Sequence, residues 1–327
     1  MRILLVAYHR YPAYELCGSG AHPRDYPSGS AYHLHDLLSQ GLAEEGHDVF
    51  YLTKKGAAQP LPAGVRPVSH HVPEADICHA IVVPSLVDET LQYTAQHGLP
   101  CLLTCHMDLQ IRGLNRSLAG PNWVFVSRTV AQAHGSNRVV MNGLSPENYI
   151  FSENKDDYFL FMGSMDKAKD KGLDIALELS AKKGFRLVVA GTSANYEIIR
   201  RIADLCAAYG AEYVGDVRGR AKAELLASAK AVLFPSRMNE GCPLVLLEAL
   251  MSGTPVISSA SGGSVEIVSS DVGFICAQDE DWQHAVDHIH EISPRRCREI
   301  AMEKYHYRRM VRDYLKEYEI EIKREQN

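Results

Sequence analysis

The sequence predicts an α/β protein built from two doubly wound parallel-sheet domains. Short apolar runs fit for buried parallel strands alternate with helical stretches along the whole chain. The polar, turn-rich stretch 142–157 divides the series and marks the domain boundary. The length of 327 residues also exceeds what one hydrophobic core usually supports.

In the first half, Arg2–Tyr8 reads as a strand, followed by a long loop at 9–28 rich in Pro, Gly and Tyr. Gly29–Glu45 carries helical periodicity through Leu34, Leu37, Leu38 and Leu42, and Gly46 ends it. Val49–Leu52, Asp76–Val83, Cys101–Cys105, Trp123–Ser127 and Arg138–Met141 continue the strand series, with a helix near 86–97 closed by Gly98. Strands in the second half are expected at 158–162, 186–190, 212–214, 231–234, 254–258 and 273–276. Helices are expected near 172–183, 194–209, 219–228, 243–252, 264–268 and 280–292. The predicted division is an N-terminal domain over 1–150 and a C-terminal domain over 151–306, with a charged, aromatic helix at about 307–327.

Hydrophobic content of 46%, charged content of 23% and a formal net charge of −6 are those of an ordinary soluble globular protein, with no global electrostatic case for nucleic acid. No apolar run approaches the roughly 18–20 residues that span a membrane, and the opening strand lacks a signal-peptide pattern. Peripheral membrane contact stays compatible with the composition. The eight cysteines form no CxxC pair, and Cys78 and Cys101 sit in apolar runs as small hydrophobes, which indicates a reducing cytoplasm without a disulfide framework. His33, His35, His70, His71, His284, His288 and His290 are read as polar histidines, because no Cys or carboxylate completes a metal site around them.

The most informative stretch is Phe234-Pro-Ser-Arg-Met-Asn-Glu240-Gly-Cys-Pro-Leu-Val-Leu-Leu-Glu248-Ala-Leu-Met-Ser-Gly253-Thr-Pro-Val-Ile257. It places a Gly/Pro loop at the carboxyl end of one strand, a helix after Pro243, a stop at Gly253 and a second strand. In an open parallel sheet, ligands bind at that end, and the helix amino terminus favours an anion such as phosphate. A carboxylate beside phosphates cannot touch them. Glu240 and Glu248 therefore suit hydroxyl groups, as sugars and ribose provide.

This segment resembles the Glu-x7-Glu signature of family 4 retaining glycosyltransferases, which have the GT-B fold: two Rossmann-like doubly wound domains facing across a cleft. The likeness runs from about residue 28 to 318. In that family the first Glu contacts the hydroxyls of the donor sugar, the following amides cradle sugar and diphosphate, and the second Glu binds ribose. Carried over, these roles fall to Glu240, to Gly241, Cys242, Pro243 and Leu244, and to Glu248. Gly29-Ser30 stands where the family usually has Gly-Gly beside the donor phosphate, with Gly46-His47-Asp48-Val49 matching a later element. His106 matches a histidine near the transfer centre, and His79 matches a position expected to pack structurally. Gly163-Ser164 and Lys171-Gly172 stand where the family has Gly-Arg and Lys-Gly, the Arg and Lys clamping the diphosphate. Ser164 replaces that Arg, so Lys167 or Lys169 is expected to supply the second charge. Gly262-Gly263-Ser-Val-Glu266 resembles the family's Gly-Gly-x-x-Glu turn.

The resemblance implies a donor-binding C-terminal domain, an acceptor-side N-terminal domain joined by the terminal helix, and retaining transfer without a metal ion or other cofactor. The sugar would move from a nucleoside diphosphate sugar to a hydroxyl acceptor, with His106, Glu240 and Lys171 at the chemistry. A weakly catalytic donor-binding subunit that supports a partner transferase is the alternative, as is a sugar-nucleotide epimerase or phosphorylase on a similar scaffold. A nicotinamide dehydrogenase lacks its glycine fingerprint after the first strand.

Overall fold

A computed structural model describes residues 1–13, 31–53, 55–57, 59–72 and 74–326. The chain divides into two compact units. The first takes in the described residues up to Ser145 together with the segment from Tyr305 onward, and the second runs from Pro146 to Lys304.

In the first unit the strands are β1 (Arg2–Ala7), β2 (Asp48–Thr53), β3 (Val65–Val68), β4 (Ile77–Ile81), β5 (Cys101–Cys105) and β6 (Trp123–Phe125). They form one parallel sheet in the order β3-β2-β1-β4-β5-β6. Helices α1 (Ala31–Glu44), α2 (Pro84–His97) and α3 (Arg128–Ala133) connect them. Ile3, Leu5, Leu37, Leu38 and Leu42 belong to one core layer, and Leu4, Val6, Leu103 and Phe125 to the layer on the opposite sheet face. Burial on both faces explains why β1 is a continuous apolar run and not an alternating one. Pro at the start of α2 and left-handed Gly98 after its end account for its limits.

The second unit repeats the plan with β7 (Phe159–Met162), α4 (Leu173–Lys183), β8 (Leu187–Ala190), α5 (Tyr196–Ala208), β9 (Glu212–Gly215) and α6 (Gly219–Ser228). It continues with β10 (Ala231–Phe234), α7 (Leu244–Met251), β11 (Val256–Ser259), α8 (Ser264–Ile267), β12 (Gly273–Cys276), α9 (Asp279–His288) and α10 (Pro294–Lys304). Its parallel sheet has the order β12-β11-β10-β7-β8-β9.

The last helix, α11 (Tyr307–Glu325), belongs to the first unit. Tyr307, Met310, Val311, Tyr314 and Tyr318 share the core layer of β1 and α1. The approach is close: a Cβ on Gly41 would lie 2.4 Å from Val311, and one on Gly143 2.7 Å from the Tyr307 backbone. Arg138 pairs with Glu317 at 2.6 Å and with the buried Glu321, which holds the segment after α3 to α11.

Four elements differ from the sequence expectation, and the first is the six-residue helix α3, which was not expected between Ser127 and Arg138. Residues 138–141 do not form a strand; Val139 makes one isolated parallel bridge to Phe125. Arg138 spends its guanidinium on α11 and the Pro121 carbonyl. Strand β3 was not expected, because Arg66 and Pro67 are exposed and proline is confined to such sheet edges. Helix α10 was missed because only Cys297, Ile300 and Ala301 of its charged sequence are buried, too few for a clear periodic signal.

The first unit's core contains a polar seam. His79, in the middle of β4, is fully buried; its Nδ1 lies 2.7 Å from the Tyr318 hydroxyl and its Nε2 2.7 Å from Thr104 Oγ1. Thr104 Oγ1 is in turn 3.0 Å from the Tyr314 hydroxyl. Burial, reinforced by His106, pushes His79 down to about 3, and burial followed by His79 pushes His35 well below its ordinary value. Both rings are neutral in the fold. As pH falls below 6.5 the unfolded chain takes up protons that the folded chain refuses, so the fold loses stability from there down toward pH 3. The slope is about 1.4 kcal/mol per pH unit for each such histidine. Urea midpoints measured from pH 7 to pH 4 should fall accordingly, and His79→Gln should flatten the slope while lowering stability at pH 7.

Candidate functional site

In the second unit the strand order reverses between β10 and β7, so the loops after these neighbouring strands splay apart around a crevice. Lys171 comes from the loop after β7 and Glu240 from the loop after β10. Lys171 Nζ lies 2.8 Å from each carboxylate oxygen of Glu240. Ser236 donates a further hydrogen bond to Glu240 Oε1 at 2.9 Å, and the Lys171 ammonium sits 5.8 Å from the centre of the Phe234 ring. About a fifth of each charged side chain is exposed, so the pair faces solvent from a partly shielded floor.

Glycines make this convergence possible. Gly172 adopts φ +78°, and a Cβ there would lie 2.0 Å from the Pro235 carbonyl oxygen. The β7 loop can therefore press against the start of the β10 loop only with glycine at 172. Gly262 does the same behind Glu240: a Cβ would meet the Glu240 carbonyl oxygen at 2.2 Å, and the next amide, Gly263 N–H, donates to that oxygen at 2.7 Å. The Gly-Gly turn after β11 thus fixes the backbone of Glu240. Gly191, after β8, approaches Gly163 equally closely, with 1.9 Å between its hypothetical Cβ and the Gly163 carbonyl oxygen. Gly191 was not singled out from sequence, though its place directly after a strand was the available signal.

The remaining predicted residues fall into distinct surroundings. Gly241, Cys242 and Pro243 are buried and Leu244 is half-buried where α7 begins. Pro243 gives α7 no side-chain cap, which leaves its first turn suited to an anion. Glu248 is buried within α7, where Oε1 accepts from Lys222 Nζ at 2.7 Å and from the Tyr149 hydroxyl at 3.4 Å. Lys222 was not legible as its partner, because the two sit 26 residues apart on different helices. Ser164 is exposed, its hydroxyl 3.3 Å from Asp166 Oδ2, while Ser193 bonds the other oxygen of Asp166 at 2.6 Å. Lys167 and Lys169 project into solvent. The guanidinium nearest this loop, Arg237, is taken up by a bidentate pair with Asp174 at 2.8 and 2.9 Å.

In the first unit His106 follows β5 directly and is half-buried, and burial lowers it to about 4, so the ring is neutral at physiological pH. The loop beyond it is pinned by buried Asp108, which accepts from the Gln110 amide at 3.1 Å and from Arg116 Nε at 2.9 Å. Gly29 and Ser30 lie outside the described residues. The His284 and His288 rings lie 4.0 Å apart, tilted by 31°, and among the described residues no group of three or more His, Cys, Asp or Glu is placed to hold a metal ion. No described helix is long and apolar enough to cross a membrane.

Residues 147–309, most of which lie in the second unit, match the family model described as glycosyl transferases group 1. An uncharacterized glycosyltransferase of Methanocaldococcus jannaschii is 28% identical over 159 residues, which cover 42% of this chain and 40% of the relative's length. Among solved structures, AviGT4, a glycosyltransferase involved in avilamycin A biosynthesis, superposes with a TM-score of 0.75 at 23% identity, covering 99% of this chain and 98% of that one. Sucrose-phosphate synthase from Thermosynechococcus elongatus gives 0.72 at 16% identity, covering 98% and 99%. HepE of Anabaena, solved in complex with UDP, gives 0.69 at 13% identity, covering 97% and 99%. These likenesses show the GT-B fold.

The buried Lys222–Glu248 pair has a measurable consequence. Lys222→Met strands a carboxylate in a low-dielectric interior and should cost about 3–5 kcal/mol in urea unfolding. Adding Glu248→Leu should recover much of that loss.

Proposed function

We propose that this protein is a retaining glycosyltransferase that moves a sugar from a nucleoside diphosphate sugar to a hydroxyl acceptor without a metal ion. The observation that carries the reading is the convergence of Lys171 and Glu240 at the switch point of the sheet that lies within the glycosyl transferases group 1 match, backed by Gly172 and Gly262. An ammonium, the uncapped start of α7 and a carboxylate together match a ligand that is anionic at one end and hydroxyl-rich at the other. HepE, a structural neighbour, is recorded with UDP and with UDP-glucose, which favours a nucleotide sugar as the donor class.

In the reaction the bond between the anomeric carbon and the diphosphate oxygen breaks, its electron pair leaves with the diphosphate, and the acceptor oxygen bonds the anomeric carbon on that same face, its proton passing to the departing diphosphate. Lys171 and the first-turn amides of α7 stabilise the charge that grows on the leaving diphosphate. Glu240 holds the sugar through its hydroxyls and does not attack the anomeric carbon. Glu248 serves the ribose, in which case Lys222 sets its orientation from behind. A lysine clamp takes the place of a metal in charge neutralisation, and the acceptor binds in the first unit, with neutral His106 as its polar contact.

Two experiments test this. Nucleoside diphosphates should raise the melting temperature in a thermal-shift panel, and Glu240→Gln should lower transfer by about 10²-fold or more without unfolding the protein. Undiminished transfer in Glu240→Gln would sink the assignment. Lys167→Ala and Lys169→Ala test the second charge: at least one should weaken donor binding, and the compensation idea fails if neither does.

A further inference from the structure

The two carboxylate oxygens of Glu240 are bonded unequally. Lys171 Nζ lies 2.8 Å from both, whereas the Ser236 hydroxyl bonds Oε1, at 2.9 Å. Ser236 is buried two residues past β10, and its hydroxyl oxygen already accepts from the Met238 amide at 3.2 Å. A hydroxyl has one proton to give, so with an amide donor on its oxygen the Ser236 proton is directed at Glu240. The Glu240 amide in turn donates to the Met238 carbonyl at 2.9 Å, which closes 236–240 into a turn around the carboxylate.

The segment after β11 grips this turn from behind. Ser259 Oγ and Ser261 Oγ lie 2.5 and 2.9 Å from the Ser236 carbonyl oxygen and 3.0 Å from each other. Ser264 Oγ, at the start of α8, lies 2.8 Å from the Ser259 carbonyl oxygen and 2.5 Å from that of Ser261. With the Gly263 amide on the Glu240 carbonyl, residues 259–264 hold both ends of the turn. Four serine hydroxyls committed to one five-residue turn add little apolar burial; a connected polar network of this kind fixes geometry.

The two bonds to Glu240 differ in what a ligand can do to them. Lys171 carries its ammonium on a flexible four-carbon stem and is partly open to solvent, so an anion can draw it aside. Ser236 is buried in a braced turn, and its proton is committed to Oε1. We propose that Ser236 is the positioning residue for Glu240: it keeps Oε1 in place when a diphosphate engages Lys171, so that Oε2 is presented to a sugar hydroxyl in a fixed direction. The inference rests on the glycosyl-transfer reading above, and every residue in it belongs to the second unit. Without the Ser236 hydroxyl, the carboxylate is free to turn about its own side chain once Lys171 has moved. Binding the sugar then carries the added cost of ordering that side chain. Ser236 thereby sets how strongly the protein prefers a nucleoside diphosphate sugar to the nucleoside diphosphate alone.

The test measures equilibrium affinities of the full chain for matched pairs: UDP with UDP-glucose, and the guanosine, adenosine and thymidine diphosphates with their glucose conjugates. The pair that the wild type binds most tightly is carried forward. Ser236→Ala should weaken the sugar nucleotide about tenfold and the bare nucleotide several-fold less. In a Glu240→Ala background the same substitution should change neither affinity further, because a residue that acts through Glu240 has nothing left to position. A purely structural serine would instead lower both affinities alike in both backgrounds. No loss, an equal loss for both ligands, or a selective loss that persists in Glu240→Ala overturns the proposal and leaves the function reading intact. If the wild type binds no member of any pair, the function reading fails and this inference falls with it. Should Ser236→Ala not fold, Ser261→Ala decides, because it removes one of the two hydroxyls on the Ser236 carbonyl and leaves Ser236 in place. A several-fold loss confined to the sugar nucleotide then supports the proposal, and unchanged selectivity overturns it.

Discussion

The second unit is organised around an ion pair, Lys171 with Glu240, that joins the loops after two adjacent strands. Each charge alone would be poorly placed on a partly shielded floor lined by Phe234. Together they satisfy one another and fix how far the two loops spread. The backbone makes the same demand, because Gly172 and Gly262 stand at contacts that any side chain would break. A chain that brings an ammonium and a carboxylate to one point through two glycine-dependent approaches is built for a ligand that can use both charges.

The second unit's sheet, its helices α4 to α9 and the loop–helix crossover at 231–257 were legible because buried parallel strands are continuous apolar runs, and because Pro243 and Gly253 mark helix ends directly. What escaped depended on long-range partners. Arg138 is drawn to α11 from about 180 positions away, which no local pattern reveals. Glu248 appeared as a residue for a ligand's hydroxyls, and its buried partner Lys222 became visible only once α6 and α7 were side by side. Edge strand β3 and charged helix α10 lack the apolar surface on which sequence periodicity depends. The pair of His9 with Asp36 in the first unit carries no spacing signal, since the two meet through the return of a chain segment and not along one helix face.

The two units solve a related electrostatic problem in different ways. In the second, the carboxylate partner is a lysine, a compact cation with three donors. In the first, the carboxylate partner is a histidine, with Asp36 Oδ1 2.7 Å from His9 Nε2. The surroundings of the two pairs differ as well. Lys171 and Glu240 retain contact with solvent, as suits an exchange of partners, whereas His9 and Asp36 are shut away among Tyr51, His35 and the start of α1. A buried carboxylate that already receives bonds from Tyr51 and Ala13 holds the ring in one tautomer.

The replacement of the expected arginine by Ser164 then takes on a specific meaning. An arginine at that position would grip a diphosphate with a planar fork independent of Glu240. With Ser164 tied into a small network with Asp166 and Ser193, and Arg237 committed to Asp174, the fixed cation facing the site is the one already bonded to Glu240. On the glycosyl-transfer reading, a diphosphate engages this lysine only by drawing it partly away from the carboxylate. That movement frees the Glu240 oxygens for the sugar hydroxyls. Recognition of the anionic end and of the sugar end is therefore coupled through one ion pair: a nucleoside diphosphate without its sugar leaves Glu240 with fewer partners, and a free sugar has to compete with Lys171 for the carboxylate. On that reading, serine in place of arginine at 164 weakens the grip on phosphate alone and shifts discrimination toward ligands that carry both parts.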